Sequence, residues 1–247
     1  MRIALKFAYD GKNFHGYARQ PGLETIEGEL IKLLANNGCI EDTKVSVFQS
    51  SSRTDKGVSA LCNVISFNTD GSKKNIVESI LGKHGDIIIY GVAEVDSDFN
   101  PRYAKQRQYC YCLKTENLDV DKIISTASVF TGGHNFSNFA RVEPFKDPVR
   151  TIDNIVFSQD KNVLTIDFFA QTYLWHQIRR IISALEKVGS NKIEKNQIIN
   201  ALNDPDEKVD FGLAPAEPLI LKNVVYDFEF EVNENLKSKI NFIKKYS

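Results

Sequence analysis

Residues 151–188 read TIDNIVFSQDKNVLTIDFFAQTYLWHQIRRIISALEKV, and this stretch decides the fold class. Two apolar-rich runs, 151–157 and 162–170, flank the polar segment Ser158-Gln159-Asp160-Lys161, the pattern of two antiparallel strands joined by a turn. The period then changes. Ile178, Ile181, Ile182, Leu185 and Val188 fall on one face of an amphipathic helix over 173–188. The rest of the chain uses the same parts. On the N-terminal side, strands are expected at 2–9, 44–49, 60–67, 86–95 and 106–114, with helices at 25–37, 73–82 and 119–130. Thr25 is the N-cap and Gly38 the C-cap of the first helix. On the C-terminal side a helix at 194–203, a strand over 219–231 and a Lys-rich helix over 233–245 complete the chain. Antiparallel strands flanked by helices define an α+β class. The order of elements is loosely similar in two halves, 1–98 and 99–247, with no Pro/Gly-rich linker between them and no visible sequence repeat.

Composition narrows the function classes. The 247 residues are 42% hydrophobic and 26% charged, the profile of a globular chain that buries a core without staples. No apolar run approaches a membrane span, and Met1–Lys6 lacks the apolar core of a signal peptide, so the cytoplasm is the expected compartment. Four cysteines are too few for a disulfide framework, and His15, His84, His134 and His176 have no zinc-ligand spacing, so no metal site is expected. Lys and Arg number 31 against 32 Asp and Glu, a net charge of −1 that speaks against a uniformly basic nucleic-acid coat. The distribution is uneven: residues 101–190 hold 12 basic and 9 acidic residues, with Arg102, Lys105 and Arg107 forming an acid-free run.

Three segments carry candidate chemistry. Residues 49–57, QSSSRTDKG, place Arg53, Thr54 and Asp55 on a polar loop between two strands, where a carboxylate can be held rigidly toward a cleft. The same residues also read as a surface turn closed by an Asx hydrogen bond. Residues 99–111 interleave Arg102 and Arg107 with Tyr103, Tyr109 and Tyr111, which suits RNA because guanidinium groups hold phosphates and rings stack on bases. A core strand with snorkelling arginines has the same pattern. In the third segment Arg179 borders the apolar face of the 173–188 helix, where a charge calls for an acidic partner, whereas Trp175 and His176 read as packing residues at the helix start.

Together these segments resemble the TruA-type tRNA pseudouridine synthases. Tyr9-Asp10-Gly11 through Pro21 is similar to the family's opening motif, and Ser52-Arg53-Thr54-Asp55-Lys56-Gly57-Val58-Ser59-Ala60 to its signature. Phe99–Tyr103, Arg107–Tyr111, Gly133–Phe139, Arg150–Ile152, the helix around Arg179 and Ala214–Leu219 follow in the family's order. Tyr17, Ser52, Ser59 and Pro218 depart from the usual tryptophan, glycine, histidine and glycine. The resemblance implies a pseudouridine synthase fold with a central cleft, and an isomerase that converts uridine to pseudouridine in the anticodon arm of tRNA, at positions 38–40. It implies Asp55 as catalytic aspartate, Tyr109 as the ring stacked on the target uracil, and Arg179 as the partner of the aspartate. Arg53, Arg102, Lys105 and Arg107 are expected to join Tyr109 in holding the tRNA. A homodimer with no cofactor is also implied. A non-catalytic tRNA-binding or RNA-chaperone protein of the same fold is the alternative. A glycosidase fits less well, because it usually needs two carboxylates and the loop offers one.

Overall fold

A computed structural model describes residues 1–240. The described chain forms two compact units, one from Met1–Lys105 joined by residues 220–240, the other from Gln106–Leu219. The first unit lays down β1 (Arg2–Tyr9), α1 (Ile26–Asn36), β2 (Gln49–Ser50), β3 (Ser59–Asn68), α2 (Lys73–Ile80), β4 (Gly82–His84) and β5 (Ile87–Val95). Strand β1 lies between β3 and β5 and runs antiparallel to both, with Leu5 opposite Ile65 and Val92. Ile3, Leu5, Phe7 and Tyr9 line one face and Ala4 and Ala8 the other, and all six are buried. Only Lys6 of this strand is partly exposed, its ammonium 4.6 Å over the Phe230 ring. Thr25 Oγ1 accepts the Gly28 N–H at 3.3 Å and caps α1, and Gly38 follows the helix in a left-handed conformation, φ +65°.

The expected strand over 44–49 is a capped turn instead. The Asp42 carboxylate accepts the N–H groups of Lys44 (2.7 Å) and Val45 (3.3 Å), and Phe48 N–H bonds the Thr43 carbonyl at 2.9 Å. These local bonds satisfy the backbone that a ladder would have used, leaving only Gln49–Ser50 to pair with β3. Helix α2 likewise stops at Ile80, because Gly82–His84 turns back as a strand against Ile87–Ile89.

The second unit contains β6 (Gln106–Lys114), α3 (Val120–Ala127), β7 (Gly132–Asn135), β8 (Val149–Ile152), β9 (Asn154–Asp160), β10 (Val163–Ala170), α4 (Gln177–Gly189) and α5 (Lys195–Asn203). Strand β10 is central, antiparallel to β6 and β9, with Phe168 opposite Tyr109 and Ile155. The expected strand 151–157 splits at Asp153, whose N–H bonds Phe169 at 2.7 Å, and its first residues pair with β7 in a separate ladder. The turn falls at Lys161, φ +50°, rather than over 158–161. Helix α4 starts at Gln177, not 173: His176 is left-handed at φ +64°, and Gln177 Oε1 accepts the Leu174 N–H at 2.8 Å.

The chain then adds β11 (Leu219–Val225), β12 (Glu231–Val232) and α6 (Glu234–Ser238). Ile220 and Leu221 pair in parallel with Ser59 and Ala60, and β12 pairs with β5. This return pairing is why the compact units are not the consecutive halves 1–98 and 99–247. The expected strand over 219–231 breaks at 226–230, where Tyr226 and Phe228 pack edge-on to Phe99 at 5.3 and 5.2 Å. Val232, Leu236 and Ile240 pack against Ala8, Ile88 and Tyr90. The expected helix 233–245 is observed over 234–238, and residues 241–245 lie outside the described part. No helix among the described residues is long and apolar enough to cross a membrane.

Candidate active site

Asp55 is half-buried on the loop that leads into β3, and the loop is fastened on both sides of it. The Thr54 carbonyl accepts the Tyr17 N–H at 3.1 Å, and the Thr54 hydroxyl meets the Tyr9 hydroxyl at 2.8 Å. The Asp55 carbonyl accepts the Val58 N–H at 3.1 Å, closing a turn in which Gly57 has φ +88°, a conformation open to glycine at little cost. Upstream, fully buried Asn63 donates to the Ser52 carbonyl at 2.9 Å. The opening motif supplies the cradle. A side chain on Gly11 would run into the Val58 carbonyl, so only glycine permits this approach. Ser59 Oγ accepts the Gly11 N–H at 3.0 Å and lies 3.3 Å from the Asp10 carboxylate. Where the family has histidine, this serine thus stitches the two motifs together. Tyr17, in place of the usual tryptophan, is 1% exposed and donates to Ser50 Oγ at 2.7 Å, and burial holds its hydroxyl proton well above the usual tyrosine range.

In the second unit, Arg107, Tyr109 and Tyr111 alternate with Gln108 and Cys110 along β6. Tyr109 is half-buried, and its ring meets the Tyr173 ring edge-on at 5.3 Å and 86°. Burial, reinforced by the neighbouring Tyr109 phenol, raises the Tyr173 hydroxyl well above its usual range, so it stays protonated and donates to the Arg107 carbonyl at 3.3 Å. Arg179, on the first turn of α4, is fixed by Ala214: its Nε donates to the Ala214 carbonyl at 2.8 Å, and its own carbonyl accepts the Ala214 N–H at 3.2 Å. The same segment is pinned by Tyr111, which donates to the Pro215 carbonyl at 3.2 Å, and by Pro218, whose carbonyl accepts the Cys112 N–H at 3.1 Å.

The four expected tRNA contacts differ in setting. Arg53 and Arg102 are exposed. Lys105 is exposed and ion-paired with Asp227, a surface pair that adds little stability. Arg107 is 6% exposed and donates to the Gln171 carbonyl. Asp55, Arg53, Arg102 and Lys105 belong to the first unit, and Arg107, Tyr109 and Arg179 to the second. The sequence reading did not single out Asn63 or Tyr173, the side chains that hold the Ser52 carbonyl and the Tyr109 ring. Alternation within β3 marks Asn63 as an inward polar residue, and Tyr173 had been absorbed into a helix. Among the described residues no three His, Cys, Asp or Glu side chains are grouped to hold a metal ion.

Comparison with known proteins follows this geometry. A family described as tRNA pseudouridine synthase matches residues 126–227. The protein named tRNA pseudouridine synthase A of Thermococcus sibiricus is 46% identical over 100% of this chain and 94% of its own length. Its namesakes in Pyrococcus abyssi and Methanosphaera stadtmanae are 40% and 37% identical over 97% and 99% of this chain, and 90% and 92% of their own. The crystal structure of a Cbf5–Nop10–Gar1 complex aligns at 12% identity and a TM-score of 0.39, over 74% of this chain and 45% of that one.

Proposed function

Because this chain belongs to the tRNA pseudouridine synthase A family, we propose that Asp55, Tyr109 and Arg179 act together on one uridine of a tRNA anticodon arm. The chain is a tRNA pseudouridine synthase, an isomerase, and its relatives' names favour this over a non-catalytic binder of the same fold. The reaction breaks the bond from ribose C1′ to uracil N1, forms a bond from C1′ to C5, releases the C5 proton and returns a proton to N1, so product and substrate are isomers and no cofactor is consumed. A carboxylate supplies what such a step needs, a nucleophile or base at the reacting ribose–uracil unit. Asp55 on its fastened loop is the observation that carries the assignment.

The target uridine must leave its stack at a cost of a few kcal/mol. Stacking on Tyr109 offsets about 1–3 kcal/mol of that. Arg179 is proposed, from the family resemblance, as the partner of Asp55. Arg53, Arg102 and Lys105 are the proposed phosphate contacts, and buried Arg107 is proposed to support Tyr109 from within β6. Positions 38–40 and a homodimer are proposed from the family resemblance. The test is to incubate purified protein with unmodified tRNA transcript and map pseudouridine. Modification confined to positions 38–40 is expected. Modification elsewhere would overturn the site assignment, and none at all would overturn the activity.

A further inference from the structure

We propose that Trp175 and Arg141 form a second stacking position, which takes an unpaired RNA base next to the target uridine. The inference rests on the synthase reading and adds a binding subsite to it. Trp175 is the one tryptophan in the sequence, and at the helix start where its spacing places it, its ring is only partly covered. It precedes α4 and is 44% exposed. The Arg141 guanidinium lies 4.2 Å from the centre of its ring. Their backbones are joined as well: Arg141 N–H donates to the Trp175 carbonyl at 2.8 Å, in an isolated antiparallel bridge. Left-handed His176, the next residue, sets its ring 4.9 Å from the indole. A non-glycine residue at positive φ is uncommon and is held there by its surroundings. Indole and guanidinium are therefore presented together by fixed backbone.

Charge and chemistry select the occupant. An exposed ring beside a guanidinium suits a nucleobase with its phosphate, the former by stacking and the latter by charge-assisted hydrogen bonds. Residues 141–150 carry Arg141, Lys146 and Arg150 against Glu143 and Asp147, a positive balance, and Phe145 on the same loop is fully exposed. The position relative to the target is set by Tyr173, two residues before Trp175, whose ring touches Tyr109. Two residues span at most about 7 Å of backbone, so Trp175 is carried on the same short segment as the ring that meets Tyr109.

The lone tryptophan makes the test direct. Wild-type protein is titrated with unmodified tRNA transcript, with an isolated anticodon stem-loop RNA and with a blunt RNA duplex, while tryptophan emission and its quenching by acrylamide are followed. Trp175→Phe serves as the optical blank, and filter binding reports affinity separately. The tRNA and the stem-loop are expected to shift the emission and shield it from acrylamide, and the duplex to do neither. Trp175→Leu and Arg141→Ala, both at exposed positions and checked for folding by circular dichroism, should weaken tRNA binding by about 5- to 150-fold, with Trp175→Phe retaining most of it. The loss should fall on KM more than on kcat, as for uniform binding. Filter binding without any change at Trp175 would overturn the second stacking position and leave the synthase reading standing. Equal shielding by the duplex would overturn it too, as would emission that follows protein dilution instead of RNA, the mark of a second copy at this face. Absence of tRNA binding altogether would remove the synthase reading and this inference with it.

Discussion

Glu186 is half-buried on α4, close enough to Tyr111 to help burial push that phenol upward. Burial raises the Glu186 carboxyl above its ordinary 4.5, with Lys192 opposing the shift. A raised folded-state value means the native protein holds the proton more tightly than the unfolded chain. The associated stability is present at acid pH and is lost as pH rises from 4.5 through the folded value. At neutral pH the protein bears the cost of a buried charge, which Glu186→Gln removes. The variant should melt above wild type at about pH 7 and lose that advantage below about pH 4. A melting difference that does not vary with pH would contradict this. Tyr109 poses a different question at the same scale. If its ring works by stacking, Tyr109→Phe should keep most single-turnover activity, while Tyr109→Leu loses about 5- to 150-fold. A collapse in Tyr109→Phe would place the hydroxyl in the chemistry.

Among the elements, the end of β1 and the start of β3 are coupled through one glycine. Adding a methyl group at Gly11 forces its backbone away from Val58, on the loop that presents Asp55. Gly11→Ala should therefore cost about 1–3 kcal/mol in denaturant unfolding and lower kcat far more than tRNA affinity. Equal loss of kcat and affinity would mean the cradle does not position Asp55. The elements most legible in the sequence are those with long apolar runs or periodic apolar patterns, namely β1, β3, β5, β6, β10 and most of α4. Those misread were settled by local polar bonding. Asp42 captures two backbone N–H groups and turns 44–49 away from a strand, and His176 with Gln177 delays α4 by one turn. The return of β11 to β3 was not legible, because pairing between distant segments leaves no periodic trace. The proposal of Asp55, Tyr109 and Arg179 rests on motif order. The exposure of Trp175 and the burial of Arg107 were not legible, since neighbours distant in sequence decide them.

For the whole molecule, a net charge of −1 means that tRNA affinity depends on local cations rather than on a general positive field. Log K should fall linearly with log salt, and removing Arg53 or Arg102 should each flatten that slope by about 1. A slope unchanged in both variants would move the phosphate contacts elsewhere. The central claim is that the Asp55 carboxylate drives isomerisation of a tRNA uridine. Release of tritium from tRNA labelled at uracil C5, compared between wild type and Asp55→Asn at matched tRNA occupancy, tests it most directly. Wild type should release the label stoichiometrically with the uridines modified, and Asp55→Asn, still folded and still binding tRNA, should release it at below about one hundredth of the wild-type rate. Release by Asp55→Asn at a rate near wild type would contradict the account.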